Sequence, residues 1–300
     1  YGNTRKPMKR NKKGKIKTGK LALFLLIVAA VLVILGMAVG KGVTYIMGKN
    51  GNSASPISYY LFIGTDKNWG NEADALLLTA WNSRDKEVTF ISIPPNTKLS
   101  RQEKKNQLIR STFSEGGAEE TKSAVENLLH LRVDGYGVVD FSDFENYMDK
   151  IGGIDMYVEK NMEHVDGSGN PDIAIRQGYQ DLKGAQALGY VRYLDGKNGE
   201  IDRIQRQERV LKTLVSSLHN HFALYSYVFA HHIWNLSETD ISAGEAAQLA
   251  YTFTNYPEDS FHYVILPGET QTIGKIPTWV VNPAELKKAV ALTIGSDNGK

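Results

Sequence analysis

Twenty consecutive residues from Leu21 to Gly40, "LALFLLIVAAVLVILGMAVG", carry no charge. At about 1.5 Å of rise per residue, a helix of this length crosses the hydrocarbon core of a bilayer, and soluble cores seldom contain so long an apolar run. Basic residues crowd only its N-terminal side. Residues 1–52 contain eleven Lys/Arg, nine of them before Leu21, and no Asp or Glu. The positive-inside rule then makes residues 1–20 a basic cytoplasmic tail and residues 21–40 a transmembrane helix. A linker at 41–57, with the Gly/Ser/Asn stretch "GKNGNSASPIS", leads to an extracytoplasmic domain at 58–296. A cleaved signal peptide competes with this reading, but its apolar core is normally shorter and "GMAVGKG" offers only weak cleavage sites.

The charge split narrows the function. Residues 53–300 hold the remaining 24 basic side chains against all 33 acidic ones, a net charge of −9. Such a body lacks the basic face that nucleic-acid binding needs, so no nucleic-acid partner is expected. The chain has no cysteine, which excludes disulfides, thiolate metal sites and cysteine nucleophiles.

Beyond the linker, strand and helix patterns alternate. "SYYLFIG", "ALLLTAWN" (Ala75–Asn82) and "EVTFISI" (Glu87–Ile93) are apolar β-rich runs, the last two joined by "SRDK" as strand, tight turn and strand. Both are apolar on nearly every residue, which predicts central strands buried on two faces. After Pro94-Pro95 the polar stretch "NTKLSRQEKKNQLIRSTFSEGG" reads as a long surface loop around a functional mouth. Glu119–Leu131 is an amphipathic helix, "YGVVDF" a strand, and "SDFENYMDKI" a helix capped by Ser142 or Asp143 and stopped at Gly152-Gly153. "IDMYV" follows as a strand. "VDGSGNPD" is a turn-rich loop with calcium-like alternation, but Pro171 stands where a calcium loop needs Gly, and no Glu closes it. Later come "FALYSYVFAHHIW" as a helix, Ser237 as the cap of a turn, a helix at 243–254, the strand "FHYVILPG", and a final helix with Asn282 as cap and Pro283 at its first position. The fold class is α/β, with helices flanking a central mixed sheet.

The chemistry gathers in two places. "IGTD" sets Asp66 just past the end of the first strand, and Asp74 stands before the second. Two carboxylates at neighbouring strand ends can hold one hard cation such as Mg²⁺ and leave room for substrate phosphates. "GAQALGYVRYLDGKNGEIDRIQRQERVL" then supplies Arg192 at the end of a helical run and Arg203, Arg206 and Gln207 on the next helix. Their i, i+3, i+4 spacing predicts one shared face, with Arg209 off it. Guanidinium forks near a helix start suit phosphate or pyrophosphate. A solvated helix with salt bridges, such as Asp202 to Arg206, fits this segment by itself equally well; the carboxylates and arginines together favour phosphoryl transfer.

These pieces, with "ADALLLTAWNSRDKEVTFISIP", "YGVVDFSDFENYMDKIGGIDMYV", "GYQDLKGAQALGYVRY", "DRIQRQERVL" and "LPGETQTIG" in this order, resemble the LytR-CpsA-Psr (LCP) family of bacterial cell-envelope proteins over essentially all of residues 1–296. The resemblance implies an LCP-type α/β sandwich with an apolar tunnel. It also implies a single-pass phosphotransferase that moves a glycan phosphate from a polyprenyl-pyrophosphate carrier to peptidoglycan. By matching motif, Asp66 and Asp74 are the Mg²⁺-side carboxylates. Asp74 or a neighbour assists deprotonation of the acceptor. Arg192, Arg203 and Arg206 hold the pyrophosphate, with Gln207 in support. The expected partners are the lipid-linked glycan, peptidoglycan and membrane lipid; the oligomeric state is left open.

The chain departs from the family pattern at several positions. Glu72 stands where the family has Arg, Pro95 and Asn96 replace an Arg-Asp pair, and Leu194 replaces another Arg. An alternative reading is therefore a catalytically impaired paralogue that binds polyprenyl lipid or glycan without turnover. Transcription regulation, attached to the family by old naming, has no physical support: the basic segment is explained by topology and anionic lipid.

Overall fold

"ISYYLFIGT" forms β1 (Ile57–Thr65), the strand on which the sheet is built, in a computed structural model that describes residues 56–66, 71–100, 108–195, 199–220 and 238–294. β1 pairs antiparallel with β2 (Ala73–Asn82) and parallel with β4 (Gly135–Asp140). β3 (Glu87–Ile93) continues antiparallel from β2 and runs parallel to β10 (Phe261–Ile265). With β9 (Glu238–Thr239) at the far edge, the six strands order as β10-β3-β2-β1-β4-β9. This is the expected mixed sheet. The β2–β3 turn forms as expected because Asn82 Oδ1 accepts from the N–H groups of Arg84 and Asp85, both at 3.1 Å.

Residue parity divides the sheet into two faces. Tyr59, Leu61 and Ile63 of β1 join Leu76, Leu78 and Ile93 in one core. That core is covered by α1 (Ser111–Leu129), through Phe113, Val125 and Leu129, and by Leu286 of α6 (Pro283–Ile294). On the other face Tyr60, Trp81 and Phe90 pack against Val215 of α4 (Gly199–Asn220) and Leu249 and Phe253 of α5 (Ala243–Asn255). Both β2 and β3 are buried on two sides, as their apolar runs predict.

A third cluster unites α2 (Phe141–Lys150), α3 (Gly184–Arg192) and two hairpin-like pairs. β5 (Ile154–Val158) pairs with β8 (Gly178–Leu182), and β6 (Met162–Val165) with β7 (Pro171–Ile175). Tyr190 and Met148, both fully buried, anchor it.

Several boundaries differ from expectation. The stretch after Pro95 is not all surface loop: Asn96 and Thr97 are buried, and helix α1 already starts at Ser111. A break at Gly116-Gly117, where Gly117 takes φ +69°, interrupts its apolar period. Helix α2 is capped by Asp140 rather than Ser142 or Asp143, its carboxylate accepting from Ser142 N–H at 2.9 Å. "VDGSGNPD" is the β6–β7 turn, in which Asp166 Oδ1 accepts from the N–H groups of Ser168 and Asn170. A further hairpin, β11 (Gly268–Ile273) with β12 (Ile276–Val281), follows β10. The Asn282 cap is present, accepting from Ala284 and Glu285 N–H.

No helix among the described residues is long and apolar enough to cross a membrane. The basic tail, the transmembrane helix expected at 21–40, the linker to Ser55, "FALYSYVFAHHIW" and Ser237 lie outside the described residues.

Candidate active site

Strand pairing places the two carboxylates. Gly64 of β1 lies opposite Ala75 of β2, so Asp66 leaves one strand end beside the point where Asp74 enters the other. Asp66 is buried, and its Oδ2 lies 3.7 Å from Nη2 of Arg192. Arg192 closes α3, and its guanidinium stacks over the Phe141 ring at 5.1 Å. From α4, Arg203 donates from Nη2 to the Asp74 carbonyl at 3.1 Å, and the same nitrogen lies 2.7 Å from Glu200 Oε2. The Arg203 Nε is buried without a hydrogen-bond partner.

Burial pushes the Asp74 carboxyl up. Arg203 opposes that shift, Asp66 and Glu72 add to it, and Arg110 opposes it. This carboxylate is therefore more basic than an ordinary aspartate.

A cavity of about 230 Å³ opens beside these groups. Asp74, Arg192, Arg203 and Gln207 stand in its wall. The rest is mainly apolar, with Phe62 and Leu77 from the sheet, Phe144 from α2, Leu188 from α3, and Leu211 and Leu214 from α4. Arg203 meets the Asp74 carbonyl near the start of α4, and farther along the helix Glu208, paired with Lys212, adds one more charged group to the wall. The wall is thus mainly apolar, with Asp74, Arg192 and Arg203 gathered together and Glu208 as a further charge, a lining that suits an amphiphile.

Arg206 is not in that wall. It is 1 % exposed, its Nη2 donates to the Tyr193 carbonyl, and its Nη1 lies 3.4 Å from Glu159 Oε1. The expectation of one shared face for Arg203, Arg206 and Gln207 is corrected by helix geometry. At about 100° per residue, positions 203, 207, 210, 211 and 214 form one stripe, and 206 falls roughly a quarter-turn to its side. Gln207 has a double place: it lines the cavity and donates from Nε2 to the Val191 carbonyl at 3.3 Å. Arg206 and Gln207 therefore grip the carbonyls on either side of Arg192 and fix the end of α3. Arg209 pairs with Glu159 at 3.0 Å, and Arg206 does not take the salt bridge to Asp202 weighed above.

Two participants escaped the sequence reading. Glu200 orients Arg203 and was signalled by its i,i+3 spacing. Phe141 carries the Arg192 guanidinium, a contact with no local signal. Arg110, from the polar stretch after Pro95, forms an ion pair with Glu72 at 3.3 Å. Pro95 and Asn96 are buried; Asn96 Nδ2 donates to the Pro277 carbonyl at 3.0 Å, and the Asn96 carbonyl accepts from Trp279 N–H at 2.9 Å. Leu194 is 47 % exposed.

A sequence model of the LytR_cpsA_psr family matches residues 43–293. The chain belongs to this family. It is 26 % identical over 234 residues to the polyisoprenyl-teichoic acid–peptidoglycan teichoic acid transferase TagV of Bacillus subtilis, an alignment covering 74 % of this chain and 60 % of that protein's length. The B. subtilis TagV crystal structure superposes with a TM-score of 0.66 at 23 % identity, covering 81 % of this chain and 98 % of that one. The LytR-CPS2A-psr family protein YwtF (TagT) with bound octaprenyl pyrophosphate lipid superposes at 0.60 with 21 % identity, covering 80 % and 91 %. At these identities the structural matches establish the fold.

Proposed function

We propose that this LytR-CpsA-Psr protein is a phosphotransferase that moves a glycan phosphate from a polyprenyl-pyrophosphate carrier to a peptidoglycan hydroxyl, on the outer side of the cytoplasmic membrane. The observation that carries this reading is the cavity, whose mainly apolar wall also holds Asp74, Arg192 and Arg203 together. An isoprenoid chain matches the apolar part and a pyrophosphate matches the guanidinium groups. The names of TagV, a transferase of polyisoprenyl-linked teichoic acid, and of the TagT complex with octaprenyl pyrophosphate point to the same ligand class.

In the reaction, the acceptor hydroxyl oxygen attacks the phosphorus that bears the sugar. The bond from that phosphorus to the bridging oxygen breaks, and polyprenyl phosphate leaves with the electron pair. Arg192 and Arg203 neutralise the charge that builds on the phosphoryl oxygens, and their fixed positions spare reorganisation. Asp74, or a carboxylate beside it, takes the hydroxyl proton. Arg206 contributes from behind, by holding the main chain around Arg192.

Asp66 and Asp74 are the residues that would hold a magnesium ion completed by water and substrate oxygens. Among the described residues no group of three or more His, Asp or Glu side chains could enclose a metal. Mg²⁺ commonly binds through one or two carboxylates, waters and phosphate oxygens, so the pair suffices. When bound, the ion would supply further charge neutralisation at the pyrophosphate.

Glu72 is matched by Arg110, and Pro95 and Asn96 have structural places. Leu194 leaves one family arginine unreplaced, and the retained Asp74, Arg192 and Arg203 in one cavity wall favour the catalytic reading. The test is transfer of a labelled oligosaccharide from a synthetic polyprenyl-pyrophosphate donor to peptidoglycan. Transfer by wild type that is abolished in Asp74→Asn supports the reading. Binding of donor without any transfer contradicts it.

A further inference from the structure

Arg110 stands where three segments meet. Its N–H donates to the Pro95 carbonyl at 3.0 Å, and its carbonyl accepts from Ala73 N–H at 3.0 Å. Ala73 lies between Glu72 and Asp74, so these main-chain bonds fix Arg110 beside the start of β2. Its Nε reaches Glu72 Oε2 at 3.3 Å, with the two side chains 40 % and 36 % exposed. Asp74 feels both charges of this pair.

We propose that Arg110 is an additional phosphate-binding arginine beside the cavity, held in readiness by Glu72 and taken over by an anionic head group on binding. The proposal rests on the pyrophosphate reading of the site and adds a residue to it. Ion pairs or nearby charge link Asp66, Glu72 and Glu200 to Asp74, Arg192 and Arg203 of the cavity wall. With Asp74 they make four carboxylates against the three cations Arg110, Arg192 and Arg203. Without Arg110 this array would repel a pyrophosphate more strongly. A half-exposed ion pair contributes little by itself, because water screens it. A phosphoryl group offers the guanidinium fork two oxygens and a larger charge, so exchange from Glu72 to phosphate is downhill. Glu72 then serves as a placeholder that keeps the guanidinium near the site when no ligand is present.

The test is calorimetric titration of the detergent-purified full chain with geranylgeranyl pyrophosphate, and separately with inorganic pyrophosphate. The proteins compared are wild type, Arg110→Gln, Glu72→Gln, the double variant and Arg203→Gln. Arg110→Gln should weaken both ligands roughly tenfold or more, the size of one lost charge-assisted contact. Glu72→Gln should tighten binding several-fold, and most of that gain should vanish in the double variant. A simple loss of nearby negative charge would instead persist there. Arg110→Lys, which keeps the charge without the fork, should fall between wild type and Arg110→Gln and covers the case in which Gln disturbs folding.

Wild-type affinity in Arg110→Gln together with weakened Arg203→Gln would overturn this inference and leave the site reading intact. A wild type that binds neither ligand would overturn both. A lower melting temperature in Arg110→Gln with unchanged affinity would make the pair a structural clamp and also refute the proposal.

Discussion

Arg203 donates to the carbonyl of Asp74, a residue 129 positions earlier, at 3.1 Å. One hydrogen bond thereby ties helix α4 to the end of strand β2 in the wall of the cavity. Glu200 holds the same nitrogen at 2.7 Å, and the Arg203 Nε is left buried without a partner. The guanidinium is thus held by fixed partners in the wall of the cavity. Its replacement by alanine should weaken polyprenyl-pyrophosphate binding by about 1.5–3 kcal/mol, roughly ten- to a hundredfold, as titration calorimetry would read it.

Arg206 should behave differently. It is fully buried, with Tyr193 and Glu159 as partners, and stands away from the cavity. Arg206→Ala should cost about 3 kcal/mol of folding stability, or roughly 6–12 °C in melting temperature, because its removal strips a buried carbonyl and a carboxylate of a donor. Arg209→Ala, on the exposed side of Glu159, should cost no more than about 1 kcal/mol. Equal losses from the two in thermal denaturation would contradict the positioning role.

Glu159 gives the account a pH dependence. Partial burial acts to raise its pKa, but its hydrogen bonds, including those from Tyr190 and Arg206, and the nearby charge of Arg209 outweigh that and lower it below 4.5. A carboxylate with a depressed folded-state pKa adds stability above its unfolded value, and that stability is lost as the pH falls through the lower folded value. Glu159→Gln should therefore be less stable than wild type at pH 7. The difference should shrink progressively below about pH 4.5 in denaturation curves recorded across that range. A constant difference at all pH values would assign the effect to packing alone.

The apolar part of the cavity wall can be tested without touching its charged groups. Leu214→Trp adds bulk among Leu211, Phe62 and Leu77 on the cavity wall. It should reduce affinity for a long polyprenyl pyrophosphate about tenfold or more while leaving inorganic pyrophosphate binding within about twofold. Parallel loss of both ligands would mean that tail and head do not occupy separate parts of the cavity.

Much of this arrangement was legible in the sequence because the determining residues are local. The apolar runs of β1, β2 and β3, and the strand-end positions of Asp66 and Asp74, follow from periodicity and turn chemistry. Polar strands were missed for the same reason. "GETQTI" of β11 exposes nearly every side chain, and β6 buries only Met162, so neither shows the alternation of a half-buried strand. Arg206 was misplaced because i, i+3 spacing puts two residues near each other without deciding which side of the helix faces the cavity. That choice is made by Leu211, Leu214 and the sheet, and by the Tyr193 carbonyl that draws Arg206 away. The Glu72–Arg110 pair joins residues 38 positions apart through a loop whose path only the fold supplies.

The central claim is that the cavity takes a polyprenyl pyrophosphate with its head at Asp74 and Arg203. Native mass spectrometry of the detergent-extracted chain with octaprenyl pyrophosphate, with and without Mg²⁺, on wild type and Asp74→Ala, tests it most directly. The account predicts a one-to-one lipid adduct that strengthens with Mg²⁺ and is lost in Asp74→Ala. An adduct indifferent to both the ion and Asp74, or no adduct at all, would contradict it.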